Sequence, residues 1–266
     1  MSGDNEQQQN QDPHPGQPGS KTFPFTLVIP AYNEERRLPA SIRDIRAFFK
    51  NLPLEVLVMV EKSKDRTIQL GLEATEGDQR FSIVDNKVQR GKGYAVRCGM
   101  QRAKGDIVFY MDADLSTPLA EVLSFLAHFS EHPETDVIIG SRAHAKSKII
   151  KRQGWFRQTL GRGFNKFVQI FGIPGIEDTQ CGFKAFRAKA CKEVFSRQTL
   201  DGFAFDVEAL MLADRLGYKI DVLPVRWVNS EDSKVRILID PIKMLWDLLQ
   251  IRWIVRRTIR EKPLSP

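Results

Sequence analysis

From Phe25 onward, short uninterrupted apolar runs alternate with longer stretches in which apolar residues recur at helical spacing. FTLVIP, LEVLVMV, FSIVD, DIVFYM and DVIIG read as strands, with helices from about Leu38, after Thr67, from Gly93 and from Pro118. Strands apolar on both faces must be covered on both faces. The alternation therefore predicts an α/β, Rossmann-like doubly wound, mostly parallel sheet with helices on either side, over about residues 22–145. Ligands of such sheets collect at the carboxyl ends of the strands. That rule singles out PAYNEE, EKSKDRT, NKVQRGKG, DADLSTP and GSRAH.

After Gly140 the pattern changes. SKIIKRQGWFRQTLGRGFNKFVQIFGIPG interleaves Lys and Arg with Trp155, Phe156, Phe164, Phe167 and Phe171. DTQCGFKAFR follows, then a helix through Glu208 to Leu216, a strand in KIDVLPVRW and a long helix from about Ile239 to Arg260. The expected organisation is a tail over 1–21, one domain over 22–238 whose halves meet near residue 145, and a C-terminal helix over 239–266. The tail is rich in Gln, Pro and Gly and lacks an apolar stretch, so it reads as disordered and not as a signal peptide. On the last helix Met244, Leu248, Ile251, Val255 and Ile259 share a face, while Leu249, Trp253 and Ile254 lie elsewhere. With Trp246, Trp253 and its arginines it is a candidate membrane-interfacial helix; an ordinary packed helix is the competing reading.

A formal net charge of +7 implies an anionic partner: nucleic acid, a phosphate-bearing small molecule or an anionic membrane. Cys98, Cys181 and Cys191 are odd in number and lack C-x-x-C spacing, so neither a disulfide framework nor a zinc site is indicated and a reducing compartment fits best. No apolar run approaches the roughly 18–20 residues that span a bilayer, so membrane contact is expected to be peripheral.

Chemistry concentrates at the end of DIVFYM. Asp112 and Asp114 stand at i and i+2, and if strand geometry persists both leave one face. Two such carboxylates suit Mg²⁺ or Mn²⁺, which completes its shell with water and substrate phosphates. The alternative is a capped turn, with Ser116 or Thr117 as N-cap, Pro118 at the first helical position and Glu121 in the first turn. Neither the G-x-G-x-x-G fingerprint nor the G-x-x-x-x-G-K-[ST] loop follows the first strand, and RGKGYAVRCGM has Val96 where the third fingerprint glycine would stand. No G-x-S-x-G elbow occurs, and His128, His132 and His144 have no evident serine or cysteine partner. Dehydrogenase and hydrolase readings lose their support.

VIPAYNEE, GKGYAVRCGM, GDIVFYMDADLSTP, GSRAH, DTQCGFKAFR, GFAFDVEAL and the late SKV together resemble family 2 glycosyltransferases of the GT-A fold. The nearest branch is the polyprenyl-phosphate (dolichyl-phosphate) β-glucosyltransferases, with the mannosyl-phosphate synthases next. The resemblance implies a hexosyltransferase that uses a nucleotide diphosphate sugar, UDP-glucose favoured, and a polyprenyl phosphate acceptor, on the cytoplasmic face of a membrane. It implies that Pro30, Tyr32 and Glu34 receive the base and ribose, that Lys92 lies near the donor, and that Gln180 and Gly182 border the sugar pocket within Asp178 to Phe183. Asp112 would face the donor, Asp114 would bind the metal, and Arg142 and Arg157 would hold the lipid phosphate.

Relatives usually end the second strand in a D-D-G-S type turn; here it is Glu61-Lys62-Ser63-Lys64-Asp65-Arg66-Thr67. Glu61 keeps a donor-side carboxylate, and Lys62 either pairs with it or approaches a phosphate, the pairing being preferred. A phosphate acceptor also accounts for the missing base, because its second pKa is about 6 and its oxygen attacks without deprotonation. The alternatives are a GDP-mannose-dependent mannosyltransferase, a non-catalytic sugar-nucleotide-binding relative and a nucleic-acid-binding protein. The last leaves the acidic strand end unexplained, and no nucleic acid is expected.

Overall fold

A computed structural model describes residues 23–151, 168–169, 173–228 and 240–261. The expected tail, Arg157 and the SKV segment lie outside the described residues, as does most of the basic aromatic stretch. The elements run β1 (Phe23–Ala31), α1 (Leu38–Phe48), β2 (Glu55–Val60), α2 (Thr67–Thr75), β3 (Phe81–Asp85), α3 (Lys92–Arg102), β4 (Gly105–Met111), α4 (Ala120–Glu131) and β5 (Val137–Ser141). They continue with β6 (Lys148–Lys151), β7 (Phe183–Arg187), α5 (Ala188–Arg197), α6 (Phe205–Arg215), β8 (Ile220–Pro224), β9 (Arg226–Val228) and α7 (Asp240–Glu261).

Among the described residues the main sheet has seven strands in the order β3-β2-β1-β4-β7-β5-β8. Only β7 runs antiparallel to its neighbours, pairing Met111 with Phe183 on one side and Val137 with Phe186 on the other. The mostly parallel α/β architecture expected from the apolar runs is the one observed. β7 and β8 come from beyond residue 145 yet sit in the same sheet as β1–β5, so the two halves share one core.

Alternation along β1 builds that core. Phe25, Leu27 and Ile29 face a cluster containing Ile42, Ile45, Phe125 and Phe183, whereas Val28 faces Val96, Val194, Leu210 and Leu248. Helices α1, α2 and α4 therefore cover one face, and α3, α5, α6 and α7 the other. Burying one such side chain contributes about 1.5–3 kcal/mol, so both layers are anchored on adjacent residues of one strand.

Three local expectations are corrected. KIDVLPVRW is not one strand: β8 stays in the main sheet, and after Val225 the chain leaves as β9 to pair with β6. Helix α4 begins at Ala120, after Leu119, and no side chain caps it, so Ser116 and Thr117 are not its N-cap and Pro118 is not its first residue. Strand geometry also stops at Met111. The Leu115 N–H donates to the Asp112 carbonyl at 3.2 Å and Leu115 takes φ +49°, so Asp112 and Asp114 lie in a turn and do not share a strand face. The predicted face of α7 is correct at its centre: Leu248, Ile251 and Val255 are buried.

Candidate active site

The first two loops at the carboxyl edge are stitched together. The N–H of Asn33, at φ +52°, donates to Ser63 Oγ at 3.0 Å, and its Oδ1 accepts from the Lys64 N–H at 2.8 Å. The Glu34 N–H donates to Thr67 Oγ1 at 2.7 Å and the Glu35 N–H to Asp65 at 3.2 Å. The 61–67 turn thus clamps PAYNEE without the glycine usual at that place. Pro30 and Tyr32 are half-buried at this edge, and Glu34 is buried with its carboxylate on Arg37. Hydrogen bonds hold the Asp65 carboxyl below the usual range despite partial burial, from the Thr67 hydroxyl and from the backbone N–H groups of Glu35 and Thr67.

Glu61 and Lys62 do not pair. Glu61 Oε1 accepts the N–H groups of Arg90 and Gly91 at 2.9 and 2.7 Å, while the Lys62 side chain is exposed. Two adjacent backbone donors meet one carboxylate, which leaves the expected ammonium partner redundant. Glu61 thereby braces the loop that presents Lys92. Gly91 sits at φ +131°, and a Cβ there would meet the Asp201 carbonyl oxygen at 2.4 Å, so the loop requires glycine at that point.

Lys92 opens α3 and its Nζ lies 2.6 Å from Asp112 Oδ1. Burial works against its charge, but Asp112 and Asp206 override it and hold the ammonium above its usual range. Gly182 completes this corner: a Cβ there would stand 2.0 Å from Asp112 Oδ2. Gln180, half-buried beside it, has a buried Nε2 without a hydrogen-bond partner among the described residues.

Asp114 is oriented separately. Its Oδ1 accepts the Ser116 N–H at 3.0 Å, and its Oδ2 lies 3.8 Å from Arg37 Nη1, beyond hydrogen-bond length. Ser41 Oγ donates to the Ala113 carbonyl at 2.6 Å and the Val228 N–H to the Ser116 carbonyl at 2.8 Å, which fixes the turn from both sides. Among the described residues no three His, Cys, Asp or Glu side chains form a metal cage. A part-exposed carboxylate that no cation approaches within hydrogen-bond length among the described residues fits a hard divalent ion that draws its remaining ligands from water and phosphate.

Arg142 leaves the end of β5 and grips Asp178 through Nε (2.8 Å), Nη2 (2.7 Å) and its own N–H (2.7 Å). Its guanidinium lies 5.4 Å from the Trp227 ring centroid. Burial opposes ionisation of both partners, yet each stabilises the other's charge: Arg142 is raised, Asp178 lowered, and Asp112 adds to the rise of Arg142. One edge of the fork is occupied; Nη1 meets no hydrogen-bond partner among the described residues.

The structure thus brings Lys92, Asp112 and Gly182 into direct contact. Arg142–Asp178 stands within electrostatic reach of that corner, and Asp114 approaches Glu34 through Arg37. Arg157 lies outside the described residues. Lys184 and Asp206 escaped the sequence reading. Both are buried beneath this corner and paired at 2.5 Å, and their signal was a charge inside each of the apolar runs FKAF and FAFDV.

A model described as glycosyl transferase family 2 matches residues 26–195. The dolichyl-phosphate beta-glucosyltransferase of Drosophila melanogaster is 33% identical, over 91% of this chain and 80% of the relative. That of Saccharomyces cerevisiae is 35% identical over 86% and 74%. Among solved structures, glucosyl-3-phosphoglycerate synthase from Mycobacterium tuberculosis, crystallised with Mn²⁺, UDP and phosphoglyceric acid, gives a TM-score of 0.64 at 20% identity, covering 88% of this chain and 78% of that one. Mannosyl-3-phosphoglycerate synthase from Rubrobacter xylanophilus gives 0.62 at 18% identity, covering 91% and 76%. That likeness speaks to the fold, while the family model across residues 26–195 and the relatives at 33% and 35% identity identify this chain as a member of glycosyltransferase family 2.

Proposed function

We propose that this protein transfers glucose from UDP-glucose to the phosphate of a dolichyl or other polyprenyl lipid, with inversion at the anomeric carbon and with Mg²⁺ or Mn²⁺. The observation that carries the reading is the convergence of Lys92 and Arg142, from distant points of the sheet, on the edge occupied by Asp112. Relatives named dolichyl-phosphate beta-glucosyltransferase supply the sugar and the acceptor. The neighbour crystallised with Mn²⁺ and UDP supports the choice of metal and base.

In this reading Pro30, Tyr32, Glu34 and Glu61 border the nucleotide, and Gln180 and Gly182 the sugar. The buried, unpartnered Gln180 Nε2 suits a sugar hydroxyl. Asp114, with Asp112 beside it, would hold the divalent ion, which supplies neutralisation of the diphosphate when bound. Lys92 keeps Asp112 oriented and adds a positive charge near the donor. Arg142, pre-oriented by Asp178 and with Nη1 unbonded among the described residues, receives the acceptor phosphate, joined by Arg157. The phosphate oxygen attacks C1 directly, the bond from C1 to the diphosphate oxygen breaks, and no proton is removed from the nucleophile. His128 and His132 lie where α4 ends, with His128 bonded to Asp221 near the start of β8 and remote from this edge.

The acceptor tail would lie at a membrane. No described helix is long and apolar enough to cross one. Helix α7 instead exposes Trp246, Leu249 and Trp253 opposite its packed face, with Lys243, Arg252, Arg256, Arg257 and Arg260 also outward, a pattern suited to peripheral attachment on the cytoplasmic face.

Incubation with UDP-glucose, Mn²⁺ and dolichyl phosphate should yield a β-linked glucosyl phosphate lipid by NMR. An α-linked product would overturn the inverting displacement, and transfer from GDP-mannose alone would overturn the choice of donor.

A further inference from the structure

Lys184, Asp206 and Tyr110 form a buried polar cluster for which the transfer reaction provides no direct task. Their relative exposures are 0%, 2% and 0%. Lys184 Nζ donates to Asp206 Oδ1 at 2.5 Å and to the Cys181 carbonyl at 2.7 Å, and it lies 5.1 Å from the Tyr110 ring centroid. The Tyr110 hydroxyl donates to the same Asp206 oxygen. A salt bridge so deep is weak evidence for stability, because taking both charges out of water offsets much of their attraction.

The cluster's connections lead to the donor corner. Cys181, whose carbonyl Lys184 holds, precedes Gly182, the residue whose missing side chain leaves room for the Asp112 carboxylate. Tyr110 lies two residues before Asp112 on the same chain segment. Phe205, next to Asp206, stands beneath Lys92, whose Nζ is 6.0 Å from the ring centroid. Three elements that carry the corner, the end of β4, the approach to β7 and the start of α6, therefore meet at one buried carboxylate.

We propose that Lys184 and Asp206, braced by Tyr110, are positioning residues that hold the Gln180–Gly182 backbone and the Asp112 carboxylate in register for the nucleotide sugar. None of the three touches substrate. Their effect is on donor binding and the chemical step more than on the acceptor side, where Arg142 holds Asp178 directly and Lys184 adds a more distant charge. The inference rests on the donor assignment made above.

The test uses the full chain and UDP-glucose with Mn²⁺. Lys184→Met with Asp206→Asn removes both charges together, which leaves no buried charge uncompensated. The expected result is a melting temperature near that of the parent, a donor KM raised and kcat lowered by about tenfold to a hundredfold in kcat/KM, and an acceptor KM raised by a smaller factor than the donor's. A purely structural role would move the donor and acceptor constants by the same factor or neither. A folded double variant with parental donor kinetics overturns the proposal. If the double variant does not fold, Tyr110→Phe decides: a donor KM raised about threefold or more supports the proposal, and a parental value overturns it. Should the parent itself not bind UDP-glucose, the donor assignment fails instead, and the two failures are thereby distinguished.

Discussion

The segments around β2 and around β7 neutralise their carboxylates differently. Around β2 the partners are neutral donors, although Glu34 after β1 meets Arg37. Glu55 accepts from Thr26 Oγ1 at 2.8 Å and the Lys104 N–H at 2.9 Å, Glu61 from two consecutive N–H groups, and Asp65 from the Thr67 and Glu35 N–H groups. Around β7 two buried carboxylates meet cations, Arg142 for Asp178 and Lys184 for Asp206, while Glu208 on α6 keeps neutral donors from Thr199 and Leu200. A carboxylate bound to backbone donors spends its lone pairs on loop shape. One bound to an arginine or lysine holds a full positive charge in a fixed place, and that charge is what a diphosphate or lipid phosphate can use. The first arrangement shapes loops, and the second sets the field of the site.

The largest expected effect separates the two kinds directly. Lys184→Met alone leaves Asp206 buried without its cation and should cost about 3–5 kcal/mol of stability by denaturant unfolding. Glu55→Gln, which disturbs only neutral and backbone partners, should cost about 1–3 kcal/mol. Equal losses would erase the distinction.

Asp114 belongs to neither kind, since among the described residues the cation that faces it stands 3.8 Å away. Asp114→Ala should therefore leave stability close to parental while lowering turnover about 10²- to 10³-fold and abolishing the Mn²⁺-dependent thermal shift with UDP-glucose. Retention of that shift would remove Asp114 from the metal site.

Legibility in the sequence followed the same divide. β1 to β5 were readable because each is an apolar run that needs no distant partner to explain it. β7 was not, because FKAFR carries two cations in five residues, and Lys184 is tolerable inside only because Asp206 arrives 22 residues later. The beginning of α4 was misread because Ser116, Thr117 and Pro118 are good cap residues. Here Asp114 holds the Ser116 N–H and β9 takes the Ser116 carbonyl, so those residues serve the acidic turn instead. Of the candidate site, Lys92, Asp112, Gly182 and Arg142 could be named from motifs, but the use of Glu61 could not. Whether a carboxylate meets a lysine or two N–H groups depends on how a loop thirty residues away returns, which no local pattern specifies.

The smallest effect at neutral pH is also the most selective. Asp178 and Asp65 both titrate below the usual carboxylate value of 3.8, so each contributes stability above that value and loses it as pH falls through its own folded-state pKa. In the parent both losses fall in the acid range below 3.8. The causes differ, however. For Asp178 burial pushes upward and is overridden by Arg142; for Asp65 hydrogen bonds from Thr67 and the Glu35 N–H do the overriding. Arg142→Met leaves Asp178 with its burial and without its cation, so its carboxyl should rise, and acid unfolding should begin at higher pH than in the parent. No cation pairs with Asp65 among the described residues, so Thr67→Val is the matching change there, and with the backbone donors intact it should move the acid limb less. Acid titrations of the two variants followed by circular dichroism measure the difference. A larger displacement in Thr67→Val than in Arg142→Met would mean that hydroxyl and backbone donors, not the paired cation, carry the greater share of the electrostatics at this edge of the sheet.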